Sequence, residues 1–124
     1  MERTRFVEHK GKRILTLDYT GLGTDMDELR DEMLKSKAVI AAEPPASLLI
    51  MTDVRGARIT PGSVKLMQEL VKHNVPYVRW GAVVVGLSSV YLTAFRATQA
   101  LSRRKNLKSF NDTGEAQDWL VAQP

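Results

Sequence analysis

Apolar residues follow two patterns along this chain. Short runs rich in apolar and β-branched residues are typical of strands, whereas apolar residues three or four positions apart are typical of one helix face. The first pattern predicts five strands: TRFVEH (4–9), RILTLDY (13–19), ASLLIMTDV (46–54), YVRWGAVVVG (77–86) and LKSF (107–110). The second pattern predicts four helices, within GLGTDMDELRDEMLKSKAVI (21–40), TPGSVKLMQELVKHN (60–74), LSSVYLTAFRATQALSRRK (87–105) and DTGEAQDWL (112–120).

Turn and capping residues lie between these elements where they are needed. Gly11 separates the first two strands and predicts a tight hairpin. Thr24 and Thr60 are predicted to cap the first two helices. Asp112 and Glu115 have the spacing of a capping box at the start of the last helix.

The predicted order is β-β-α-β-α-β-α-β-α, which places the chain in the α/β class. Strands that alternate with helices predict a mixed, mostly parallel sheet with helices packed on it, and the first hairpin adds an antiparallel edge. At 124 residues, without linkers or repeats, residues 1–124 are expected to form one domain.

A long uncharged stretch raises the question of a membrane span. Sixteen uncharged residues lie between Arg79 and Arg96, whereas a spanning helix needs about 20 apolar residues. The stretch also changes halfway from strand-like to helix-like composition, so we expect no membrane insertion. The chain has no cysteine and no apolar N-terminal signal, which together predict a cytoplasmic protein.

Charge alone does not predict a nucleic-acid partner. The net charge is +4 and the isoelectric point is near 9.6. The basic residues are nevertheless spread along the chain, apart from RRKNLK at 103–108. Neither a reading helix nor aromatic residues placed for base stacking are recognisable, so we do not expect nucleic acid to be the partner.

No motif predicts catalysis, a cofactor or a metal. The GLG at 21–23 lacks the third glycine of a dinucleotide fingerprint, because Met26 stands at that position. We therefore interpret its glycines as turn residues. His9 and His73 have no partner at metal-ligand spacing, and no G-x-S-x-G elbow proposes a nucleophile.

Polar residues do follow several predicted strands. In open α/β sheets, ligands tend to bind beyond the carboxyl ends of parallel strands. The residues at these positions are Asp18, Tyr19, Asp53, Arg55, Arg58, Ser88 and Ser89. The two serines also begin a predicted helix, whose free N–H groups favour an anion. The alternative is that strand ends are always polar and that Asp53 simply pairs with Arg55 or Arg58.

The central stretch MTDVRGARITPGSVKLMQELVKHNVPYVRWGAVVVG (51–86) resembles the STAS/SpoIIAA-like family of small bacterial proteins, and GKRILTLDYTGL and LKSFNDTGEAQDWLV resemble the ends of that family. The resemblance implies a mixed sheet flanked by helices and a regulatory, non-enzymatic protein that binds a partner protein. It also implies a switch by serine phosphorylation at the start of a helix. The matching stretch here reads ITPGSV, with hydroxyls at Thr60 and Ser63.

Two functions remain open from the sequence. The first is a protein-interaction module that binds another protein, or a second copy of itself, through DVRGARITPG (53–62) and the helix that follows. The second is a domain that binds a small apolar or anionic molecule near Asp53 and Ser88. Four methionines are candidates to line such a pocket: Met26, Met33, Met51 and Met67.

Overall fold

A five-stranded sheet organises the computed structural model of this chain, which describes residues 2–86 and 105–124. The elements, in chain order, are β1 (Thr4–His9), β2 (Lys12–Asp18), α1 (Met26–Ala41), β3 (Leu48–Asp53), α2 (Pro61–Asn74), β4 (Val78–Val84), β5 (Leu107–Phe110) and α3 (Thr113–Ala122). The α/β class and all five predicted strands are confirmed, as are three of the four predicted helices. The helix predicted over 87–105 falls on residues 87–104, which lie outside the described residues.

The strands lie in the order β1-β2-β3-β4-β5, so neighbours in the chain are neighbours in the sheet. The β1–β2 pair is antiparallel and every other pair is parallel, as the sequence predicts. Lys10 and Gly11 both have positive φ, at 51° and 82°. A two-residue turn with positive φ at both positions matches the twist of the hairpin.

Each face of the sheet carries its own hydrophobic core. Because side chains along a strand alternate between the two faces, Leu15 and Leu17 of β2 face α1 and α2, whereas Ile14 faces α3. In β3, Ile50 faces α1 and α2, and Met51 faces α3. The sheet is therefore covered on both faces, which explains why β3 is a nearly continuous apolar run.

The strand β4 contains a bulge near its start. Leu48 pairs with Val78 but Leu49 pairs with Trp80, which leaves Arg79 as an extra residue. Strict alternation would place Trp80 on the same face as Val78. The extra residue instead moves Trp80 to the α3 face, where it meets Trp119 at a ring distance of 5.7 Å.

The helix caps agree with the sequence at two of three positions. Thr60 caps α2 and Asp112 caps α3, as predicted. The prediction of Thr24 as the cap of α1 is wrong by one residue, because the Asp25 carboxylate accepts from the backbone N–H groups of Asp27 and Glu28. Within the described part of the chain, no helix has both the length and the apolar character needed to cross a membrane.

Candidate functional site

The loop between β3 and α2, residues 54–60, is the candidate functional site, and we call it the β3–α2 loop. Asp53, the last residue of β3, is buried, with 6% of its surface exposed. Its carboxylate accepts hydrogen bonds from the backbone N–H of Arg55 at 3.1 Å and from its guanidinium at 3.0 Å and 2.7 Å. This two-pronged pairing fixes the direction of the Arg55 side chain. The predicted alternative, a structural ion pair with Asp53, is thus confirmed for Arg55.

The surroundings of Arg55 are acidic. The hydrogen bond to Asp53 raises the pKa of Arg55, and the charges of Asp53, Asp112 and Asp18 act in the same direction, while partial burial opposes them. Arg55 therefore offsets the negative charge that three strand and loop ends bring to this edge of the sheet. Residues 2–86 and 105–124 contain no group of three potential ligands arranged to hold a metal ion.

The loop after β2 holds the β3–α2 loop in place. The backbone N–H of Arg58 donates to the carbonyl of Leu22 at 2.8 Å, and that of Gly21 donates to the carbonyl of Arg55 at 3.3 Å. Gly23, at φ +107°, lies so close that a Cβ there would be 2.8 Å from the carbonyl oxygen of Arg58. The GLG glycines are turn residues, as the sequence indicates, and they also join two loops into one surface.

The start of α2 is closed by a reciprocal pair of side chains. The Thr60 hydroxyl accepts from the backbone N–H of Ser63 at 3.1 Å, and the Ser63 hydroxyl accepts from that of Thr60 at 2.9 Å. The Ser63 hydroxyl also lies 2.9 Å from the carbonyl of Arg58. Both predicted phosphorylation residues thus hold a capping box, and Ser63 is buried whereas Thr60 is half-buried.

Asp18 and Tyr19, which follow β2, have structural roles. The Asp18 carboxylate accepts from the backbone N–H of Thr20 at 3.0 Å and from its hydroxyl at 2.6 Å. Burial disfavours its charged form, but these hydrogen bonds and the nearby Arg3 outweigh it and lower the pKa of Asp18. Tyr19 is fully buried, and burial raises its pKa far above the ordinary value. Ser88 and Ser89 lie outside the described residues.

A small apolar cavity lies beneath the β3–α2 loop. Its volume is about 60 Å³, and its walls include Met33 of α1 and Met67 of α2. Met26 instead packs near Gly62, and Met51 faces α3. Ligand pockets usually measure roughly 300–1,000 Å³, so the space found here would admit only a few heavy atoms.

The topology does not add a crevice at this edge. In open α/β sheets the ligand crevice forms where the strand order reverses, because helices on either side of that point cover opposite faces. The order β1-β2-β3-β4-β5 contains no reversal, and α1 and α2 pack on the same face. Among the described residues at this edge, Arg55 and Arg58 are exposed, whereas Asp53 and Tyr19 are buried.

Comparison of the chain with protein-family models, with curated proteins and with solved structures finds no match. The function must therefore be inferred from the chemistry of the β3–α2 loop. The arrangement supplies a rigid backbone, two exposed arginines at positions 55 and 58, and a half-buried Ile59 beside them. Such a surface is suited to binding.

Proposed function

We propose that this chain is a non-enzymatic bacterial STAS-like regulatory module that binds a partner protein through the β3–α2 loop and the start of α2. The resemblance of residues 51–86 to the STAS/SpoIIAA-like family supports the proposal. The mixed sheet flanked by helices agrees with what that resemblance implies.

The observation that carries the proposal is that the β3–α2 loop is fixed before any partner arrives. The Asp53–Arg55 pair, the bond from Arg58 to Leu22 and the capping box hold it at three separate places. Binding costs free energy when loops and side chains become ordered at an interface. A loop that is already ordered avoids much of that cost.

The chemistry of the loop favours a partner with acidic side chains. Arg55 forms an ion pair with Asp53. Within the described residues, the guanidinium of Arg58 forms no ion pair with a carboxylate. Arginine is enriched at interfaces because its planar fork binds carboxylates through two hydrogen bonds. Ile59 adds an apolar contact next to that fork.

Phosphorylation of the loop stays a prediction, and burial supports Thr60 over Ser63 as its site. A phosphate on Thr60 would lie at a helix N-terminus close to Arg55 and Arg58, where its charge is stabilised. Ser63 is buried and would have to leave the capping box to accept a phosphate. We therefore favour Thr60 as the modified residue.

The experiment compares partner capture by Arg58→Glu with capture by Arg30→Glu. Arg30 is an exposed arginine on α1 that pairs only with its neighbour Asp27 among the described residues, so its reversal is a matched control for charge. Tagged versions of both variants and of the parent chain are used as bait in a lysate of the source cells, with quantitative mass spectrometry of what is retained. We expect Arg58→Glu to lose specific proteins that Arg30→Glu retains.

Two outcomes would contradict this surface. One is that Arg58→Glu retains every protein that the parent chain captures. The other is that Arg30→Glu loses the same proteins, since the effect would then follow net charge and not the loop. Sedimentation of the parent chain and Arg58→Glu tests whether the partner is a second copy, because a self-association through the loop would weaken in the variant.

The alternative function is a small-molecule binding domain. Near Asp53 the 60 Å³ cavity gives it little support for an apolar ligand, and the prediction of an anionic ligand near Asp53 and Ser88 stays open. Native mass spectrometry of the purified chain, compared with its denatured mass, distinguishes the two functions. Extra mass that disappears on denaturation would favour the ligand, and a bare chain or bare dimer would favour the interaction module.

A further inference from the structure

A second cavity lies at the opposite end of the sheet, where β2, β3 and β4 begin. It measures about 360 Å³, and its walls include Lys12, Arg13, Leu49 and Arg79. This volume falls at the lower end of the range for ligand pockets, roughly 300–1,000 Å³. We call it the amino-end cavity. The polar residues noted in the sequence all follow strands, so none of them points to it.

The amino-end cavity has an excess of positive charge. The guanidinium of Arg13 contacts both carboxylate oxygens of Glu43 at 3.3 Å, which neutralises it. Lys12 donates to the backbone carbonyl of Val121 at 2.9 Å, a neutral acceptor that leaves its charge uncompensated. Within residues 2–86 and 105–124, Arg79 forms no ion pair. Two cations that have no carboxylate partner among the described residues therefore border one cavity.

The bulge in β4 is what brings Arg79 to this position. Arg79 is the extra residue of β4, and bulges commonly redirect a side chain out of the regular alternation. The side-chain amide of Asn106, the residue before β5, donates to the backbone carbonyls of Val78 and Arg79, at 3.4 Å and 3.0 Å, where the pairing of β4 with β5 has not yet begun. The guanidinium of Arg79 therefore extends from a bulge whose backbone is held by hydrogen bonds.

We propose that the amino-end cavity binds a small organic phosphate monoester. A phosphate monoester carries a charge of about −1.5 to −2 at pH 7, which matches the two uncompensated cations. The planar fork of arginine binds phosphate through paired hydrogen bonds, and lysine adds a point charge. Leu49 supplies an apolar contact for the organic part of the ligand.

The test is a calorimetric titration of the chain with phenyl phosphate at low ionic strength. Phenyl phosphate joins the required phosphate to a small apolar ring, and inorganic phosphate is the comparison that lacks the ring. Arg79→Gln removes the bidentate donor, Arg79→Lys keeps the charge without the fork, and Arg30→Gln removes an exposed arginine of α1, which belongs to neither proposed site, as a matched control. Arg79 is exposed, so its substitution leaves the fold intact, which circular dichroism checks.

We expect saturable binding of phenyl phosphate that Arg79→Gln weakens at least about tenfold, since a hydrogen-bonded charge of this kind is lost. Arg79→Lys should weaken it less, Arg30→Gln should stay within about twofold of the parent chain, and inorganic phosphate should bind more weakly than phenyl phosphate. The absence of saturable binding, or equal losses in Arg79→Gln and Arg30→Gln, would overturn the proposal.

Two further measurements separate this site from general attraction of anions. The indole N–H resonance of Trp80, the next residue after Arg79, should shift during the phenyl phosphate titration. A single-stranded oligonucleotide is titrated under the same conditions. If it binds much more tightly than phenyl phosphate and is weakened equally by Arg79→Gln and Arg30→Gln, the positive charge attracts a polyanion, and the small-molecule site is refuted.

Discussion

Replacing Gly23 by alanine tests whether the two loops at the carboxyl edge form one rigid surface. Gly23 has a φ of +107°, beyond the left-handed region that other residues sometimes enter. A Cβ added there would lie 2.8 Å from the carbonyl oxygen of Arg58 and 3.2 Å from its nitrogen. These are backbone atoms, so the contact is relieved only if a loop moves. Gly21, at φ +71° with nothing within 4 Å of an added Cβ, is the matched control.

The expected loss of unfolding free energy has two contributions, the strain of a positive φ and the steric contact with Arg58. A side chain in the left-handed region costs about 1–2 kcal/mol, and this is all that Gly21→Ala should lose. Gly23→Ala has a backbone strain of about 1–3 kcal/mol and, in addition, a steric contact with Arg58. The Arg58 backbone cannot easily retreat, because its N–H bonds Leu22 and its carbonyl accepts from Ser63. We expect Gly23→Ala to exceed Gly21→Ala by at least about 1 kcal/mol.

Urea denaturation of the parent chain and the two variants measures this difference. The dependence of the unfolding free energy on urea should keep its slope, while the midpoint falls further in Gly23→Ala than in Gly21→Ala. Equal losses in the two variants would refute the reasoning, because the contact with Arg58 would then contribute nothing. If the loop is displaced, Gly23→Ala should also lose the proteins that depend on Arg58, although it removes no charge.

Two further predictions concern buried and partly buried polar groups. The pKa of Asp18 is lower in the folded chain than its ordinary value near 3.8, so the charged carboxylate stabilises the fold above that value. This contribution is lost as the pH falls through the lower, folded pKa. Asp18→Asn should therefore flatten the dependence of stability on pH below about pH 4, which acid denaturation measures. The Ser36 hydroxyl is fully buried and lies 2.7 Å from both the Tyr19 hydroxyl and the Thr4 hydroxyl. Ser36→Ala should cost about 1–3 kcal/mol in urea unfolding, and the double variant with Tyr19→Phe should lose less than the sum of the two single losses, whereas additive losses would contradict a shared network.

Local signals explain most of what could be predicted from the sequence. The strands and the caps Thr60 and Asp112 depend on residues within one turn or one short run, so the pattern alone locates them. The cap of α1 was missed because Thr24, Asp25 and Asp27 are all good capping residues and only the final geometry selects among them. The bulge at Arg79 leaves no trace in YVRWGAVVVG, since a strand buried on both faces shows no alternation to interrupt.

In the candidate site, too, contacts between residues close in the chain could be predicted from the sequence, whereas contacts between distant residues could not. The Asp53–Arg55 pair spans two residues and was recognisable as an alternative in the sequence. The contact of Gly23 with Arg58 joins residues 35 positions apart (58 − 23 = 35), and only the sheet topology brings them together. The amino-end cavity likewise gathers Lys12, Leu49 and Arg79 from three different strands. These residues lie at the start of their strands, so only the parallel pairing of the strands brings them to one place.

The two proposed surfaces lie at opposite ends of the same strands, and this separation makes their tests independent. The six residues of β3 span roughly 20 Å at about 3.3 Å per residue. Substitutions more than about 7–10 Å apart without shared partners usually act additively. Arg58 and Arg79 share no ion-pair partner among the described residues, so neither substitution is expected to act through the other site. We therefore expect Arg79→Gln to leave partner capture unchanged. A loss of the captured proteins in Arg79→Gln as large as that in Arg58→Glu would show that net charge, and not the β3–α2 loop, retains them.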